Sequence, residues 1–416
     1  MHILYYHQHF ATPHGAGGIR SYEMARRLIK RGHRVTMICG SHAGANTGLQ
    51  GRPVRGIRKG YVDGIYVIEF SLLYSNYDSF LKRAWIFLRF AVQGCIVAIT
   101  HDYDLLFATS TPLTAGLPGI VGRFLRRKPF VFEVRDLWPK LPREMGVITN
   151  PLVLKAMDLL EWLSYHFADA CIGLSPGIIE GIKSRGIDSR NVTMIPNGCD
   201  LDMFDPEKVG PICPEGAKKG DFIAIFTGAH GIANGLDAVL EAALELKKRG
   251  RDNIKLVFIG DGKLKPELKR RAESEQLNNC IFLNPVPKKE LARLLQGVDV
   301  GMMILANVPA FYYGTSPNKF FDYIAAGLPV LNNYPGWLAD MIDENKCGVV
   351  VPPENPETFA DVLEYMADHP EEMSQMGRNA HALAKQSFDR RKLADEFVDW
   401  LEAVAIRRLH RLKIDK

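Results

Sequence analysis

Short apolar runs with the composition of buried β-strands alternate with helical patterns along almost the whole chain. In the first half these runs are HILYY, RVTMIC, GIYVIEF, DLLFAT, FVFEV, ACIGLS and VTMIPNG. In the second half they are FIAIFTG, IKLVFIGDG, CIFLNPV, VGMMIL, LPVLNN and CGVVVPP. Because strand, helix and strand in succession form a parallel βαβ unit, each series predicts its own doubly wound α/β sheet.

The length of the chain and one loop-like segment divide these strands between two domains. A chain of 416 residues exceeds the size at which a single hydrophobic core usually stops growing. Residues 206–221 contain three prolines, three glycines and charges of both signs, a composition typical of a linker. We therefore predict Rossmann-like domains over 1–205 and 222–388 and a C-terminal helix over 389–416. Ligands are expected in a cleft at the carboxyl ends of the strands.

Cysteine usage and the N-terminus indicate the compartment. Seven scattered cysteines never stand in C-x-x-C spacing, which argues against a disulfide framework or zinc site and favours a reducing compartment. Met1 leads directly into HILYYHQHF without a signal-peptide pattern, so we expect a cytoplasmic protein. No Asp, Glu or His cluster has metal-ligand spacing, and we predict neither metal nor cofactor. The formal net charge is only +5, and we expect no nucleic-acid partner.

Two basic stretches and one long apolar segment bear on membrane contact. The stretches RFLRRK (123–128) and IRRLHRLKIDK (406–416) are either solvated surface or sites that attract an anionic membrane. Residues 80–100 have the length of a membrane-spanning helix, but basic residues and a glutamine interrupt them. Two interpretations stay open for this segment, a buried helix and an amphipathic anchor in the plane of the membrane.

The stretch SPNKFFDYIAAGLPVL, which begins at Ser316, predicts a helix followed by a turn into a strand. Pro317 lacks a backbone N–H and fits the first turn of a helix, which makes Thr315 or Ser316 the N-cap. Free N–H groups and the positive end of the helix dipole then lie beside Lys319. This arrangement suits an anion, and a phosphate above all.

Three glycine-rich turns follow strand-like runs. The first contains Gly17 and Gly18, the second is GAHGIANG (228–235), and the third is GDG (260–262). None matches G-x-G-x-x-G with a ribose-binding acid, which argues against a dinucleotide-binding dehydrogenase. A structural role is open for each turn alone. Together with the SPNK helix they favour a phosphorylated, nucleotide-like ligand.

These stretches together resemble glycosyltransferase family 4, the retaining nucleotide-sugar transferases with the GT-B fold of two Rossmann-like domains. The similarity runs from GGIRSYEMARRLIKRGHRVTMI through FEVRDLWP, GLSPGI and IPNGCDLDMF to FTG, GLDAVLEAA, FIGDG and SPNKFFDYIAAGLPVL. Within the family the chain is most similar to WbuB-type enzymes, which extend lipid-linked repeat units of surface polysaccharides. The resemblance implies an N-terminal acceptor-binding domain, a C-terminal nucleotide-sugar-binding domain, and a final helix that packs back on the first domain.

The resemblance also implies roles for single residues on the donor side. Asp322 stands where the family has the glutamate that holds the donor ribose, whereas Gly314 stands where the family has its first glutamate. Ala229 and Asn234 stand where the family tends to have Arg and Lys, so Lys319 and the backbone N–H groups must balance the pyrophosphate. The donor-binding residues implied are Gly17, Gly18, Gly228, Gly231, Asn234, Gly260, Asp261, Val286, Thr315, Ser316, Pro317, Asn318, Lys319 and Asp322.

On the acceptor side, FEVRDLWPK places Arg135 and Asp136 at the end of a buried strand. One interpretation is a structural Arg–Asp pair. The other, which we favour, is that Asp136 is a carboxylate beside the acceptor or the anomeric centre, with Arg135 and His14 near it. An activating base needs hydrogen-bond reach to the acceptor hydroxyl, which a sequence does not show. His7, His9 and His14, near the first glycine loop, are weaker candidates than Asp136.

We therefore expect a metal-independent retaining hexosyltransferase with Asp136, Lys319 and Asp322 as its catalytic residues. Its expected donor is a nucleoside diphosphate sugar, UDP-HexNAc or a related UDP-sugar. The expected acceptor is a lipid-diphosphate-linked sugar or another glycan in O-antigen or capsule assembly, which implies a peripheral protein at the inner face of the cytoplasmic membrane. Two alternatives stay open, a non-catalytic nucleotide-sugar-binding protein of the same fold and a nucleotide-sugar epimerase.

Overall fold

The computed structural model describes residues 1–42, 46–75 and 77–414, and these residues form two compact units. Each unit contains one largely parallel β-sheet with helices, as the alternating sequence pattern predicts. The division of the chain is as follows: unit 1 comprises Met1–Pro196, Gly314–Ser316 and Arg391–Lys416, and unit 2 comprises Asn197–Tyr313 and Pro317–Arg390.

Unit 1 is built on eight strands: β1 (His2–Tyr6), β2 (Arg34–His42), β3 (Ile57–Val62), β4 (Ile65–Tyr74), β5 (Leu105–Thr109), β6 (Phe130–Val134), β7 (Ala170–Gly173) and β8 (Val192–Met194). Their order in the sheet is β3-β4-β2-β1-β5-β6-β7-β8. All neighbours are parallel except β3 and β4, which form an antiparallel edge hairpin. The sequence analysis missed β3 because none of its side chains is buried, so it has no continuous apolar run.

The helices before α7 belong to unit 1: α1 (Arg20–Lys30), α2 (Phe80–Thr100), α3 (Gly116–Leu125), α4 (Lys140–Glu144), α5 (Pro151–Phe167) and α6 (Pro176–Ser184). Two of them begin in the same way. Asn150 caps α5 and Ser175 caps α6, each accepting backbone N–H groups, and a proline occupies the next position. Proline is well suited there because the first helical N–H needs no partner within the helix. Short 3₁₀ turns lie at Leu113–Ala115, Ser189–Asn191 and, in unit 2, Ile232–Asn234.

The strands of unit 2 are β9 (Phe222–Thr227), β10 (Ile254–Ile259), β11 (Cys280–Leu283), β12 (Val300–Met303), β13 (Val330–Asn332) and β14 (Gly348–Val350). They are all parallel, in the order β11-β10-β9-β12-β13-β14. The remaining helices are α7 (Leu201–Phe204), α8 (Asp237–Lys248), α9 (Lys265–Ser274), α10 (Lys288–Leu295), α11 (Pro309–Gly314), α12 (Asn318–Ala325), α13 (Trp337–Asn345), α14 (Pro356–Asp368), α15 (Pro370–Ser387) and α16 (Arg390–Ile414).

Each sheet has a point where the chain reverses its direction of winding. In unit 1 the chain winds outward from β1 through β2 and then continues on the other side with β5. In unit 2 the equivalent reversal lies between β9 and β12. Ligands of doubly wound sheets bind beyond the carboxyl ends of the strands at such points. The loops that follow β1, β5, β9 and β12 are therefore the first places to look for a site.

The chain passes from unit 1 to unit 2 after Pro196, ahead of the predicted boundary at residue 205. Residues 205–221 contain no helix or strand, but they are part of unit 2. The N–H of Ile212 donates to the carbonyl of Arg293 at 3.0 Å, which fixes this segment against α10. It is thus a packed part of unit 2, because backbone hydrogen bonds compensate for its lack of regular structure.

Most of α16 lies in unit 1, beside α1. Arg31 of α1 donates to Asp399 at 2.9 Å, and His33 lies 2.7 Å from a carboxylate oxygen of Glu402. On its apolar side Phe397 packs edge-on against Phe107 of β5, with ring centroids 4.9 Å apart. Charge pairs and an aromatic contact therefore attach the C-terminal helix to the sheet of unit 1.

A buried charge cluster joins three segments of unit 1. Arg20, at the start of α1, lies 2.8 Å from the carboxylate of Glu133 on β6, and both side chains are at most 1% exposed. The same guanidinium donates to the carbonyls of Ile195 and Pro196. Burial alone would raise the pKa of Glu133, but Arg20 and Arg135 more than offset it and hold that pKa below its ordinary value.

Replacing Arg20 with methionine leaves Glu133 as a buried, poorly compensated carboxylate. We expect Arg20→Met to lower the free energy of unfolding by about 3–5 kcal/mol at neutral pH, measured by urea unfolding. The loss should shrink as the pH falls, because protonation removes the unpaired charge from Glu133. The matched control is Arg190→Met, which breaks the solvent-exposed pair with Asp188 and should leave the midpoint unchanged. Equal effects of the two substitutions would contradict this account.

Candidate functional site

Two glycine loops of unit 2 form one backbone cradle at the carboxyl ends of β9 and β10. The N–H of Gly228 donates to the carbonyl of Ile259, and that of His230 donates to Asp261, each at 2.9 Å. A Cβ on Gly260 would lie 1.8 Å from the carbonyl oxygen of Gly228. Only glycine permits this approach, so two turns that were predicted separately are one structure.

Two buried side chains that the sequence analysis missed support the cradle. Lys265 is 9% exposed and donates to the carbonyls of Gly260 and Leu283, each at 2.7 Å. His230 is fully buried, and burial together with the charge of Lys265 lowers its pKa to about 4. Its imidazole is therefore neutral at pH 7. The only sequence signal for either was its position inside or just after a glycine turn.

Lys319 extends from α12 to the point where the sheet of unit 2 reverses. Its Nζ donates to Oδ1 of Asn234 at 2.7 Å, lies 3.5 Å from the carbonyl of Ile304, and lies 4.0 Å from the ring centroid of Phe226. No carboxylate of the described residues pairs with it. Burial lowers the pKa of Lys319 well below its ordinary value. A cation among neutral partners at the ligand edge of a sheet suits an anion.

The start of α12 differs from the prediction. Neither Thr315 nor Ser316 is the N-cap, because the helix begins at Asn318 and Pro317 itself holds the capping position with extended backbone. Proline fits there because the N-cap residue contributes its carbonyl, and not its N–H, to the helix. Proline also offers no side-chain cap, so no side chain at that position occupies the N–H groups of the first turn.

Asp322 lies on α12 one turn beyond Lys319, and its environment is different. Its carboxylate is 4% exposed and forms an ion pair with Lys288 of α10. Burial raises the pKa of Asp322, and the ammonium of Lys288 opposes that rise. A second buried pair, Asp200 with Arg390, lies close enough to influence it. Sequence gave no signal for Lys288, since the two partners lie 34 positions apart.

Two of the predicted acceptor residues, Arg135 and Asp136, follow the carboxyl end of β6 in unit 1. The predicted structural pair of Arg135 with Asp136 does not form, because Arg135 donates to Thr109 at 2.8 Å and lies 3.3 Å from Glu133. Asp136 instead accepts a hydrogen bond from the hydroxyl of Thr111 at 3.2 Å. Burial raises the pKa of Asp136, and this hydrogen bond partly opposes the rise.

The backbone of Thr111 lies in the left-handed region, with a φ angle of +78°. Positive φ is strained for a β-branched residue, and such strain is concentrated at functional sites. Sequence provided no signal for Thr111, because backbone strain is not visible in composition or spacing.

The other predicted positions are divided between the two units. Gly17, Gly18 and His14 lie in the loop before α1 of unit 1, and both Gly18 and His14 are exposed. His7 and His9 follow β1, and burial lowers the pKa of His9 to about 3. The remaining donor-side residues outside unit 1 are in unit 2, where Gly231 and Val286 are partly exposed and Asp261 is exposed.

Among the residues 1–42, 46–75 and 77–414, no group of three or more His, Cys, Asp or Glu is arranged to hold a metal ion.

Comparison with known families assigns both halves of the chain. Residues 15–198 match the family described as "Glycosyl transferase 4-like domain", and residues 214–383 match "Glycosyl transferases group 1". Each half of the chain is thus similar to a glycosyltransferase domain family. The cradle, Lys319 and Asp322 lie within the group 1 match, and Asp136 lies within the 4-like match.

The named relatives are distant in sequence, and their names are all those of glycosyltransferases. The D-rhamnosyltransferase WbpZ of Pseudomonas aeruginosa is 26% identical over 58% of this chain and 61% of its own length. A probable glycosyltransferase, WbjE of Pseudomonas aeruginosa, is 23% identical over 76% of this chain and 78% of its own. The O-antigen chain mannosyltransferase C of Escherichia coli is 23% identical over 43% of this chain and 46% of its own. The matches to the first and third therefore span less than two thirds of those proteins.

Solved structures confirm the predicted GT-B fold class. Anabaena HepE, solved with UDP and glucose, aligns with a TM-score of 0.68 at 16% identity, over 96% of this chain and 99% of that one. WaaG, a glycosyltransferase involved in lipopolysaccharide biosynthesis, aligns with a TM-score of 0.66 at 16% identity, over 96% and 99%. The two Rossmann-like α/β domains that the sequence predicts are thus the domains of a GT-B fold.

The environment of Lys319 predicts opposite effects of its removal on stability and on anion binding. Lys319→Met should raise the thermal midpoint of the unliganded protein, because it removes a half-buried charge that no carboxylate of the described residues pairs with. The same variant should lose the stabilisation that the wild type gains from added pyrophosphate. Lys269→Met, on the exposed face of α9, should change neither quantity. A destabilised variant with wild-type pyrophosphate stabilisation would contradict the assignment.

Proposed function

We propose that the protein is a retaining glycosyltransferase that transfers a hexosyl group from a UDP-sugar, UDP-HexNAc or a related donor, without a metal ion. The observation that carries the proposal is the ammonium group of Lys319 next to the glycine cradle, where the negative charge of a diphosphate would balance it. The UDP and glucose bound in the HepE structure and the sugar transferases among the named relatives support this donor class. In this proposal the group 1 domain holds the donor.

Each part of the donor has a proposed partner in unit 2. Lys319 and the first-turn N–H groups of α12 hold the diphosphate, the N–H of Gly231 lies beside it, and Gly228, which has no side chain, lets it approach closely. Asp322 accepts hydrogen bonds from the ribose hydroxyls. One carboxylate has about four acceptor sites, so the ion pair with Lys288 leaves capacity for them. That pair also holds the carboxylate in one orientation.

The proposed reaction proceeds on the face of the sugar from which the diphosphate departs. The bond between the anomeric carbon and the diphosphate oxygen breaks, and a bond from the acceptor oxygen to the same carbon forms. The departing diphosphate takes the acceptor proton, and Lys319 stabilises the negative charge that develops on it. Asp136, held by Thr111, orients the acceptor hydroxyl at the edge of unit 1.

The proposed acceptor is a lipid-diphosphate-linked sugar of surface polysaccharide assembly. The names of WaaG and of the O-antigen mannosyltransferase support this class. An acceptor of this kind places the protein in the cytoplasm, peripherally at the inner face of the cytoplasmic membrane. Incubation with UDP-sugars and a synthetic lipid diphosphate, followed by mass spectrometry and NMR of the product, tests the activity. A product of inverted anomeric configuration, or none from any donor, would contradict the proposal.

The ribose role of Asp322 predicts a dependence on the 2′-hydroxyl of the nucleotide. Asp322→Asn should weaken UDP binding by about tenfold to a hundredfold in calorimetry, and 2′-deoxy-UDP binding by much less. The control is Asp200→Asn, which disrupts the other buried ion pair of this region without removing the proposed ribose contact. It should affect both nucleotides equally. If Asp322→Asn lowers the affinities for UDP and 2′-deoxy-UDP equally, Asp322 does not bind the ribose and serves only as a structural ion-pair partner of Lys288.

The contact between Thr111 and Asp136 predicts a shift in the pH profile of transfer. Burial raises the pKa of Asp136 and the hydrogen bond lowers it, so Thr111→Val should raise that pKa further. Because transfer is proposed to need ionised Asp136, the acid limb of the pH–rate profile then moves to higher pH. The control is Thr114→Val, which should leave the profile in place, since the Thr114 hydroxyl lies 3.4 Å from the carbonyl of Phe87. Asp136→Asn should lower the transfer rate and leave UDP affinity unchanged. A uniform loss in Thr111→Val without a shift would contradict this role.

A further inference from the structure

The face of α2 that points away from unit 1 is a continuous apolar stripe. Its large side chains recur every three or four residues and are 42–79% exposed. At 3.6 residues per turn they fall within an arc of about 80°, so they form a single line along the helix. The members of this outer stripe are Leu81, Trp85, Leu88, Val92, Ile96 and Ile99. Such a patch on a soluble domain marks an interaction surface.

The opposite face of α2 belongs to the hydrophobic core of unit 1. Ile86, Phe90, Val97 and Ala98 are at most 7% exposed and pack in the same core cluster as residues of β1, β5 and β6. By length and composition α2 is apolar enough to cross a membrane, but this face holds it flat along unit 1. A helix whose residues between Ile86 and Ala98 pack in the core cannot enter a bilayer end-on without leaving that core.

Basic residues lie along one edge of the outer stripe and at its far end. Lys82, Arg89, Gln93 and Thr100 form a polar line along one edge of it, since they recur at the spacing of a single helix face. At the far end Arg126 donates to the carbonyl of His101 at 3.4 Å, next to the exposed Phe124.

The charge of this region is far from balanced. Residues 80–130 contain seven Lys or Arg and only two Asp, a net charge equal to the +5 of the whole chain. Three of the seven basic residues form ion pairs, Lys82 with Asp78, Arg123 with Asp169 and Arg126 with Asp102. Among the described residues, no carboxylate lies within ion-pair distance of the other four, which are Arg83, Arg89, Arg127 and Lys128.

We propose that the outer stripe and its basic edge dock unit 1 on a bilayer that contains anionic phospholipid, with α2 in the plane of the interface. Apolar side chains enter the boundary between headgroups and acyl chains, and the basic groups meet the lipid phosphates. A second copy of the chain is a poorer occupant, because it would bring two strongly positive surfaces together. The inference rests on the proposed function, since a lipid-linked acceptor requires the enzyme to work at a membrane.

Vesicle co-sedimentation of the full chain tests the proposal. The wild type should bind vesicles of phosphatidylcholine with phosphatidylglycerol, bind less as salt increases, and bind weakly to phosphatidylcholine alone. The double variant Trp85→Glu/Leu88→Glu should bind at least about tenfold more weakly, because it places charge in the outer stripe. The matched control Val54→Glu/Tyr61→Glu changes two side chains of unit 1 that are 75% and 77% exposed, and should bind like the wild type.

Three outcomes would overturn the inference. The first is that the wild type does not bind vesicles at low salt. The second is that the Trp85→Glu/Leu88→Glu variant binds as strongly as the wild type. The third is that the wild type is an oligomer which these substitutions dissociate and which vesicles do not affect. Thermal stabilisation by UDP, measured on the same proteins without vesicles, separates this test from the proposed function. Thermal stabilisation by UDP without vesicle binding contradicts only the docking surface. Vesicle binding without thermal stabilisation by UDP contradicts only the donor assignment.

Discussion

An ammonium group with only neutral partners, placed where a parallel sheet reverses its winding, is the constraint around which the site of unit 2 is arranged. Lys319 contacts an amide oxygen, a carbonyl and an aromatic face, all of which orient it and none of which neutralises it. Such a group costs stability until an anion arrives. The first-turn N–H groups of α12 lie at the same end of that helix, and a diphosphate satisfies both these groups and the ammonium.

The two carboxylates of the proposed mechanism show how environment separates residues of one chemical type. Asp322 is buried with Lys288 as its partner, which suits a fixed acceptor of hydrogen bonds. Among the described residues, the hydroxyl of Thr111 is the hydrogen-bond partner of the Asp136 carboxylate, and the raised pKa of Asp136 makes its charge sensitive to pH. The first is therefore proposed as a binding group and the second as a group that acts on the acceptor.

The sequence predicts those parts of the structure that depend on neighbours along the chain. The strands, the glycine turns and the position of Lys319 after a proline are local patterns, and the structure confirms all the predicted strands. Partners were harder to predict. Arg135, which directly follows β6, lies 3.3 Å from Glu133 of that strand and does not pair with the adjacent Asp136, so neighbours in the sequence were not the partners. Lys288 comes from a different helix, and the strained backbone of Thr111 depends on tertiary contacts.

The central claim is that unit 2 binds a nucleoside diphosphate, and a thermal-shift panel tests it most directly. UDP, GDP, ADP and CMP would be added to the full chain with and without EDTA. Saturation to 100 times the dissociation constant stabilises a protein by about 2.7 kcal/mol, which moves the midpoint measurably. The account predicts a shift that is largest with UDP and indifferent to EDTA. No shift with any nucleoside diphosphate would contradict it.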